Sequence, residues 1–135
     1  MIERVPRYFM LRDRPTAEVV KGVKEATGAT VDTEGDDAAI IVEIDRYPIG
    51  FRTDVTLWVD PAQATLPADD EALGLLLAKT FDEDVLVPPG PLCLDPPDPG
   101  EHLMVRPDGR MFDVFSTDDD YFVLDEDHMR EVTPA

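Results

Sequence analysis

Residues 51–60, Phe-Arg-Thr-Asp-Val-Thr-Leu-Trp-Val-Asp, alternate two sets of side chains without a break. Successive side chains of a strand point to opposite faces, so this spacing fits a strand with one covered face and one polar face. Phe51, Thr53, Val55, Leu57 and Val59 fall on the covered side, and Arg52, Asp54, Thr56, Trp58 and Asp60 on the other. Pro61 ends the strand, because it brings no N–H to a ladder. A strand of this kind needs a sheet around it and a second layer over its apolar side.

Two segments can supply that layer. Residues 15–27 set Val19, Val20, Val23 and Ala26 on one face at helical spacing, with Pro15 suited to the first turn and Gly28 to the stop. Residues 68–81 open with Asp69, Asp70 and Glu71, where the helix dipole favours negative charge. Leu73, Leu76, Leu77 and Phe81 then form a buried stripe, widened by Ala72 and Leu75. Gly74 is costly in a helix interior and so marks a close approach to another element.

Further strands are read at residues 7–12, 30–33, 38–44, 85–87, 101–106 and 110–115, the last two joined by a Pro107-Asp108-Gly109 hairpin turn. Residues 88–100 hold six of the thirteen prolines and two glycines and read as a long, stiffened surface loop. Asp118, Asp119 and Asp120 break the chain, residues 121–124 suggest an edge strand, and residues 125–135 a loosely held acidic tail. The order β-α-β-β-β-α-β-β-β predicts an α+β fold, a mainly antiparallel sheet with two helices on one face, as a single domain over residues 1–135.

Charge limits what such a domain binds. Thirty acidic residues against twelve basic ones give a net charge of −18, and 43% hydrophobic content separates the chain from disordered acidic proteins. Residues 1–31 are slightly basic, while residues 32–135 hold six basic and twenty-six acidic side chains. This field repels nucleic acid and anionic lipid and accelerates encounter with a basic partner. The apolar run at 73–78 is too short to cross a bilayer, and the N-terminus lacks the build of a signal peptide. Cys93 is alone, so no internal disulfide is expected, and the cytoplasm is the expected location.

Motifs for chemistry are sparse. The carboxylate runs at 32–37, 118–120 and 125–127 lack the spacing of a calcium loop, and neighbouring carboxylates on a strand alternate faces. They read as a solvated acidic edge, with no metal expected. The two histidines, His102 and His128, lack the further ligands that zinc requires; His102 shares a strand face with Met104 and Arg106 and reads as a surface residue. Ser116 is the only serine and stands outside any nucleophile elbow, Cys93 sits in the proline-rich segment, and the glycines form no phosphate loop. No catalytic residue and no cofactor are expected.

Two features suit binding. Trp58, the only tryptophan, lies on the polar face of its strand between Asp54, Thr56 and Asp60, the build of a hot spot for a basic partner. A helix covering that face would instead make it part of a second core layer. Residues 113–131 carry eight acidic side chains and one arginine, interleaved with Phe115, Tyr121, Phe122 and Leu124. Here Asp118, Asp119, Asp120, Tyr121, Asp125, Glu126 and Asp127 are candidates to grip an Arg- or Lys-lined cleft, against the simpler reading of solubility alone.

Several segments resemble bacterial immunity proteins of polymorphic toxin systems, in particular the swarming-inhibition toxin immunity group. They are Tyr8-Phe9-Met10-Leu11-Arg12 in the first strand, Ala26-Thr27-Gly28 at a helix end, and Ile49-Gly50-Phe51-Arg52 opening the long strand. Phe81-Asp82-Glu83-Asp84-Val85-Leu86-Val87 follows the leucine-rich helix, and His102-Leu103-Met104-Val105-Arg106-Pro107-Asp108-Gly109 forms the hairpin. The resemblance implies a small cytoplasmic inhibitor that binds and neutralises a cognate toxin domain without catalysis. Two alternatives stand beside it: an acidic mimic of nucleic acid that occupies DNA-binding proteins, and a small-molecule enzyme with His102 or Cys93 in a pocket beside a second titratable group.

Overall fold

The computed structural model describes residues 5–35, 37–89 and 100–133. Its elements run β1 (Arg7–Met10), α1 (Thr16–Thr27), β2 (Val31–Asp32), β3 (Ile40–Arg46), β4 (Thr53–Val59), α2 (Asp70–Phe81), β5 (Val85–Val87), β6 (Glu101–Val105), β7 (Met111–Phe115) and β8 (Arg130–Val132), with a 3₁₀ turn at Glu126–His128 before β8. All eight strands join one sheet in the order β2-β3-β4-β1-β5-β6-β7-β8, antiparallel except for the two-residue β2, which runs parallel to β3. This is the expected α+β class with its two helices and mainly antiparallel sheet. No helix among the described residues is long and apolar enough to cross a membrane.

The helices form as their sequences dictate. Pro15 stands just before α1, and Gly28 closes it with φ +69° in the left-handed region while donating its N–H to the Lys24 carbonyl. Asp69 caps α2 by accepting the Ala72 N–H at 2.7 Å. Both helices lie on one side of the sheet. Val19, Val23, Leu73, Leu77 and Ala78 meet Tyr8, Met10, Val42, Val55, Leu57, Val87, Leu103 and Val105 there in the main core. Glycine sets the spacing: a Cβ on Gly22 would stand 2.2 Å from the Phe81 ring, and one on Gly74 would stand 2.9 Å from Val87. Gly74 is therefore the close approach that its position in the helix suggested.

Three expectations need correction. Phe51 does not share the core of Val55 and Leu57. Gly50 turns the chain at φ +69° just ahead of β4, and the Phe51 ring crosses to the opposite side, edge-on to Phe122 with centroids 5.6 Å apart. Residues 121–124 are not an edge strand; a single bridge, Ser116 to Leu124, is all they add, and they fold back over the sheet. Nor is the C-terminus a loose tail, since β8 pairs with β7 as the true edge, where Arg130 holds Asp113 at 3.1 Å and Arg110 holds Glu131 at 2.8 Å. Most of the proline-rich segment, with Cys93, lies outside the described residues.

The helical side of the sheet thus carries both helices, while the far side has no α-helix among the described residues and is covered only in part. There Leu86, Met104, Phe112 and Val114 pack beneath Phe122, with Phe9, Leu124 and Met129 around them. The β2-β3-β4-β1 half of that side has no covering element among the described residues.

Gly22→Ala is expected to lower stability by about 1–3 kcal/mol, because Phe81 must leave its place between the helices. Gly109→Ala has open space around it and only a positive φ to oppose it, for a loss of about 1 kcal/mol. Urea denaturation of the two variants measures the difference.

Candidate functional site

On the uncovered half of the sheet, alternation and register fix which side chains meet. Trp58 of β4 stands opposite Ile41 of β3. The β1–β4 pairing continues beyond Arg7, with the Leu57 N–H donated to the Pro6 carbonyl at 2.8 Å, so Val5 falls on the other flank of Trp58. Val5 is 41% exposed and Trp58 38%. A row of three apolar side chains thus runs across this face, Val5 and Trp58 in the open and Ile41 half-buried. Asp32, Glu43 and Asp60 lie on the same face around it. Asp60 also organises the turn after β4, accepting from the Ala62 N–H at 3.0 Å and the Gln63 amide at 2.7 Å. The Gln63 bond first, then the backbone one, hold its carboxyl below the usual range, so it stays ionised.

Asp54 needs a different description from the one alternation suggests. It lies on the same face as Trp58 but is buried, 1% exposed, and accepts three hydrogen bonds. Arg7 reaches it through Nε at 3.0 Å and Nη2 at 2.6 Å, and the Tyr47 hydroxyl donates to it at 2.7 Å. The Arg7 guanidinium also rests 4.9 Å from the centroid of Phe9. Asp54 is therefore no free rim charge; it fixes two side chains, Arg7 and Tyr47, that line a neighbouring cavity.

That cavity, of about 190 Å³, lies where the folded-back segment meets the sheet. Arg7, Phe9 and His102 of the sheet line it together with Tyr47, Gly100, Ser116, Asp118, Asp119, Asp120, Tyr121 and Phe122. Its geometry depends on a backbone contact: the Phe51 N–H donates to the Phe122 carbonyl at 2.8 Å, and a Cβ on Gly50 would stand 2.0 Å from that carbonyl oxygen. Ser116 ties the base of the segment, donating to the Tyr121 carbonyl (2.8 Å) or that of Asp118 (2.9 Å) and accepting from the Val123 N–H at 3.0 Å. Asp118 Oδ1 accepts the N–H groups of Asp120 (2.8 Å) and Tyr121 (2.9 Å), which turns the loop tip and sets Tyr121 beside Tyr47, ring centroids 5.7 Å apart. Asp118, Asp119 and Asp120 are exposed, and among the described residues no cation pairs with them.

His102 is not the surface residue its strand position suggested. Its ring lies edge-on between Phe9 at 5.5 Å and Phe122 at 4.9 Å, and its buried Nδ1 has no hydrogen-bond partner among the described residues. Burial pushes the imidazole pKa down, opposed by the Gly100 backbone. Burial likewise raises the Tyr47 phenol, and the Asp54 carboxylate adds to it. The cavity therefore presents a neutral imidazole, protonated phenol and unpaired carboxylates. Two of its hydroxyls are committed to structure, that of Tyr47 to Asp54 and that of Ser116 to the loop. Among the described residues no cluster of three or more His, Cys, Asp or Glu could hold a metal ion.

The structure thus brings Asp118, Asp119, Asp120 and Tyr121 next to the Arg7–Asp54–Tyr47 cluster, and sets Trp58 four residues along β4 from Asp54, about 13 Å. It does not bring in Asp125, Glu126 and Asp127. They lie at the 3₁₀ turn, where Asp125 accepts from the Asp127 N–H and contacts His128 Nδ1 at 2.7 Å. Val5, Ile41, Tyr47, Arg7 and His102 join the site without having been singled out as partner-binding residues. The one local hint was β6, apolar at Leu103, Met104 and Val105 in succession, as a strand covered on both faces must be.

No protein-family model matches the chain, and comparison with curated proteins and with solved structures finds no match.

The His102 environment has a pH consequence. Its folded pKa is lowered, so the unfolded chain takes up the proton more readily; the stabilisation is complete above the unfolded value, about 6.5, and is lost as pH falls towards the folded one. Denaturation series between pH 7.5 and pH 5 are expected to show a smaller loss of stability on acidification in His102→Gln than in the parent protein.

Proposed function

We propose that this protein is an immunity-type inhibitor that binds a cognate bacterial toxin domain in the cytoplasm and covers a basic surface of it. One observation carries this reading: the exposed Trp58 row and the unpaired carboxylates of the 118–120 loop lie on the same, uncovered side of the sheet. An exposed indole supplies contact area, and surrounding carboxylates supply steering and selectivity for a cationic surface.

Internal pairing strengthens the charge term. Arg7, Arg14, Lys21, Arg46, Arg52, Arg106, Arg110 and Arg130 each hold a carboxylate of the chain itself. Few cations are left to offset the acidic surplus at the surface. The cavity, at about 190 Å³, is also smaller than the roughly 300–1,000 Å³ of small-molecule sites, and suits a single side chain of a partner.

The test is a toxin domain encoded beside the gene, which this reading expects to exist. That domain is expected to bind with an association rate that falls steeply as salt rises. Asp119→Lys with Asp120→Lys is expected to slow association about tenfold at low salt. Trp58→Ala is expected to act on dissociation, accelerating it by about tenfold or more. Surface plasmon resonance separates the two rates; a complex indifferent to all three substitutions and to salt would end this reading.

A further inference from the structure

The uncovered sheet face is specific enough to state what its partner must present. We propose that it docks an extended basic segment of a partner protein, which lays one apolar side chain across the Val5–Trp58–Ile41 row and puts one arginine into the cavity between Tyr47 and the 118–120 loop. This deepens the inhibitor reading and rests on it for the identity of the partner.

Charge complementarity selects the class of occupant. The face carries Asp32, Glu43, Asp45 and Asp60 by register and alternation, with Asp118, Asp119 and Asp120 at its cavity end. Its one cation within the register, Arg7, is already held by both carboxylate oxygens of Asp54 and does not offset them. A neutral apolar segment would leave those carboxylates without a partner at the contact, and an acidic one would be repelled. Nucleic acid is disfavoured by the same sign of charge.

Arginine fits the cavity better than lysine. Tyr47 and Tyr121 present rings tilted 51° to each other beside the unpaired carboxylates of Asp119 and Asp120. A planar guanidinium stacks on such rings and donates a fork of N–H groups to carboxylates, whereas an ammonium is a compact, strongly hydrated point charge. The cavity wall already holds one guanidinium in this manner, Arg7 between Phe9 and Asp54.

Spacing fixes the order of contacts. Trp58 and Asp54 are four residues apart on β4, about 13 Å, which an extended segment also crosses in about four residues. Asp54 marks the cavity end of the face, because its partners Arg7 and Tyr47 line the cavity, so a partner with an apolar residue at one position and arginine four positions away spans the distance from Trp58 to that end. A helix covers only about 6 Å in four residues and does not.

The chain carries its own reporter, because Trp58 is the only tryptophan. The probe is acetyl-Leu-Gly-Ser-Gly-Arg-amide, titrated at low salt with indole fluorescence and with two-dimensional ¹H–¹⁵N spectra of the labelled protein. It is expected to move Trp58 emission together with the amides of Tyr47 and Asp119, Asp120 and Tyr121. Replacing its arginine by citrulline or lysine is expected to weaken binding about fivefold or more. Replacing its leucine by serine is expected to abolish the emission change and keep the shifts around Tyr121. In the protein, Asp119→Asn with Asp120→Asn, both exposed positions that leave the fold intact, is expected to erase the preference for arginine.

Equal affinity for the arginine, lysine and citrulline peptides overturns the proposal, as do shifts confined to the helical side. The two readings fail separately. A toxin domain bound through Trp58 but indifferent to the double Asn variant removes the arginine site and leaves the inhibitor standing. Arginine-selective peptide binding by a protein that does not bind the neighbouring toxin removes the inhibitor reading and leaves the face as described.

Discussion

Where the Phe122 carbonyl meets the Phe51 N–H, with Gly50 pressed beneath it, two distant parts of the chain are fastened on the far side of the sheet. A side chain at residue 50 would occupy the space of that carbonyl, and the positive φ there adds a second reason for glycine. Because this contact holds, Phe122 caps Leu86, Met104 and Phe112, so half of the far face becomes interior. The other half stays open, because the 117–124 segment ends its reach at Tyr47 and turns back to Leu124. The cavity is the seam between the two halves. Its existence, the burial of His102 and the placement of the 118–120 carboxylates all depend on that one fastening.

Electrostatics then divide the molecule by role. Arginines on the sheet and its connections are tied to carboxylates in positions that hold elements together. Arg14 bridges Glu83 at 2.5 Å and the Phe81 carbonyl at 2.8 Å, linking the start of α1 to the end of α2. Arg46 bonds Asp13 and the Arg14 carbonyl, and Arg130 and Arg110 fasten β8. The exposed pairs among them, Arg46–Asp13 and Arg110–Glu131, contribute little each to stability, whereas Arg14 and Arg130 satisfy the buried carboxylates of Glu83 and Asp113. With most of its described cations paired to carboxylates of the chain itself, the acidic surplus is left unopposed at the surface. Arg7 is the case that matters for the site: it sits in the middle of the open face, yet Asp54 neutralises it and Phe9 supports it from the side.

The sequence carried the fold further than it carried the site. Local period was enough for α1, α2 and β4, because their buried stripes repeat at the spacing of the element itself. The 106–110 hairpin was legible from Pro107, Asp108 and Gly109, and the Arg106–Arg110 pairing closes it. The 117–129 segment was not legible, since what holds Phe122 is a glycine seventy-two residues earlier, and the short 121–124 run has the composition of an edge strand. Trp58 was read on the exposed face from alternation alone. Alternation put Asp54 there too, but its burial comes from Arg7 and Tyr47, brought in by other elements, and nothing at residue 54 signals them. His102 failed for a similar reason: its covers, Phe9 and Phe122, come from opposite ends of the chain.

A mimic of nucleic acid and the proposed inhibitor of a basic protein would both use acidic surfaces, and they call for different layouts of charge. Mimicry calls for negative charge in a sustained row, since the duplex it imitates carries a phosphate every 3.4 Å or so along each strand. Here the carboxylates of Asp32, Glu43 and Asp60 are parted by Val5, Trp58 and Ile41, an apolar row that no phosphate backbone possesses. Proteins that grip DNA through lysine and arginine have no use for an indole at the centre of the contact. A protein surface does, because association needs apolar contact area to hold what charge has steered into place. The interrupted row therefore supports the inhibitor we propose over a mimic of nucleic acid.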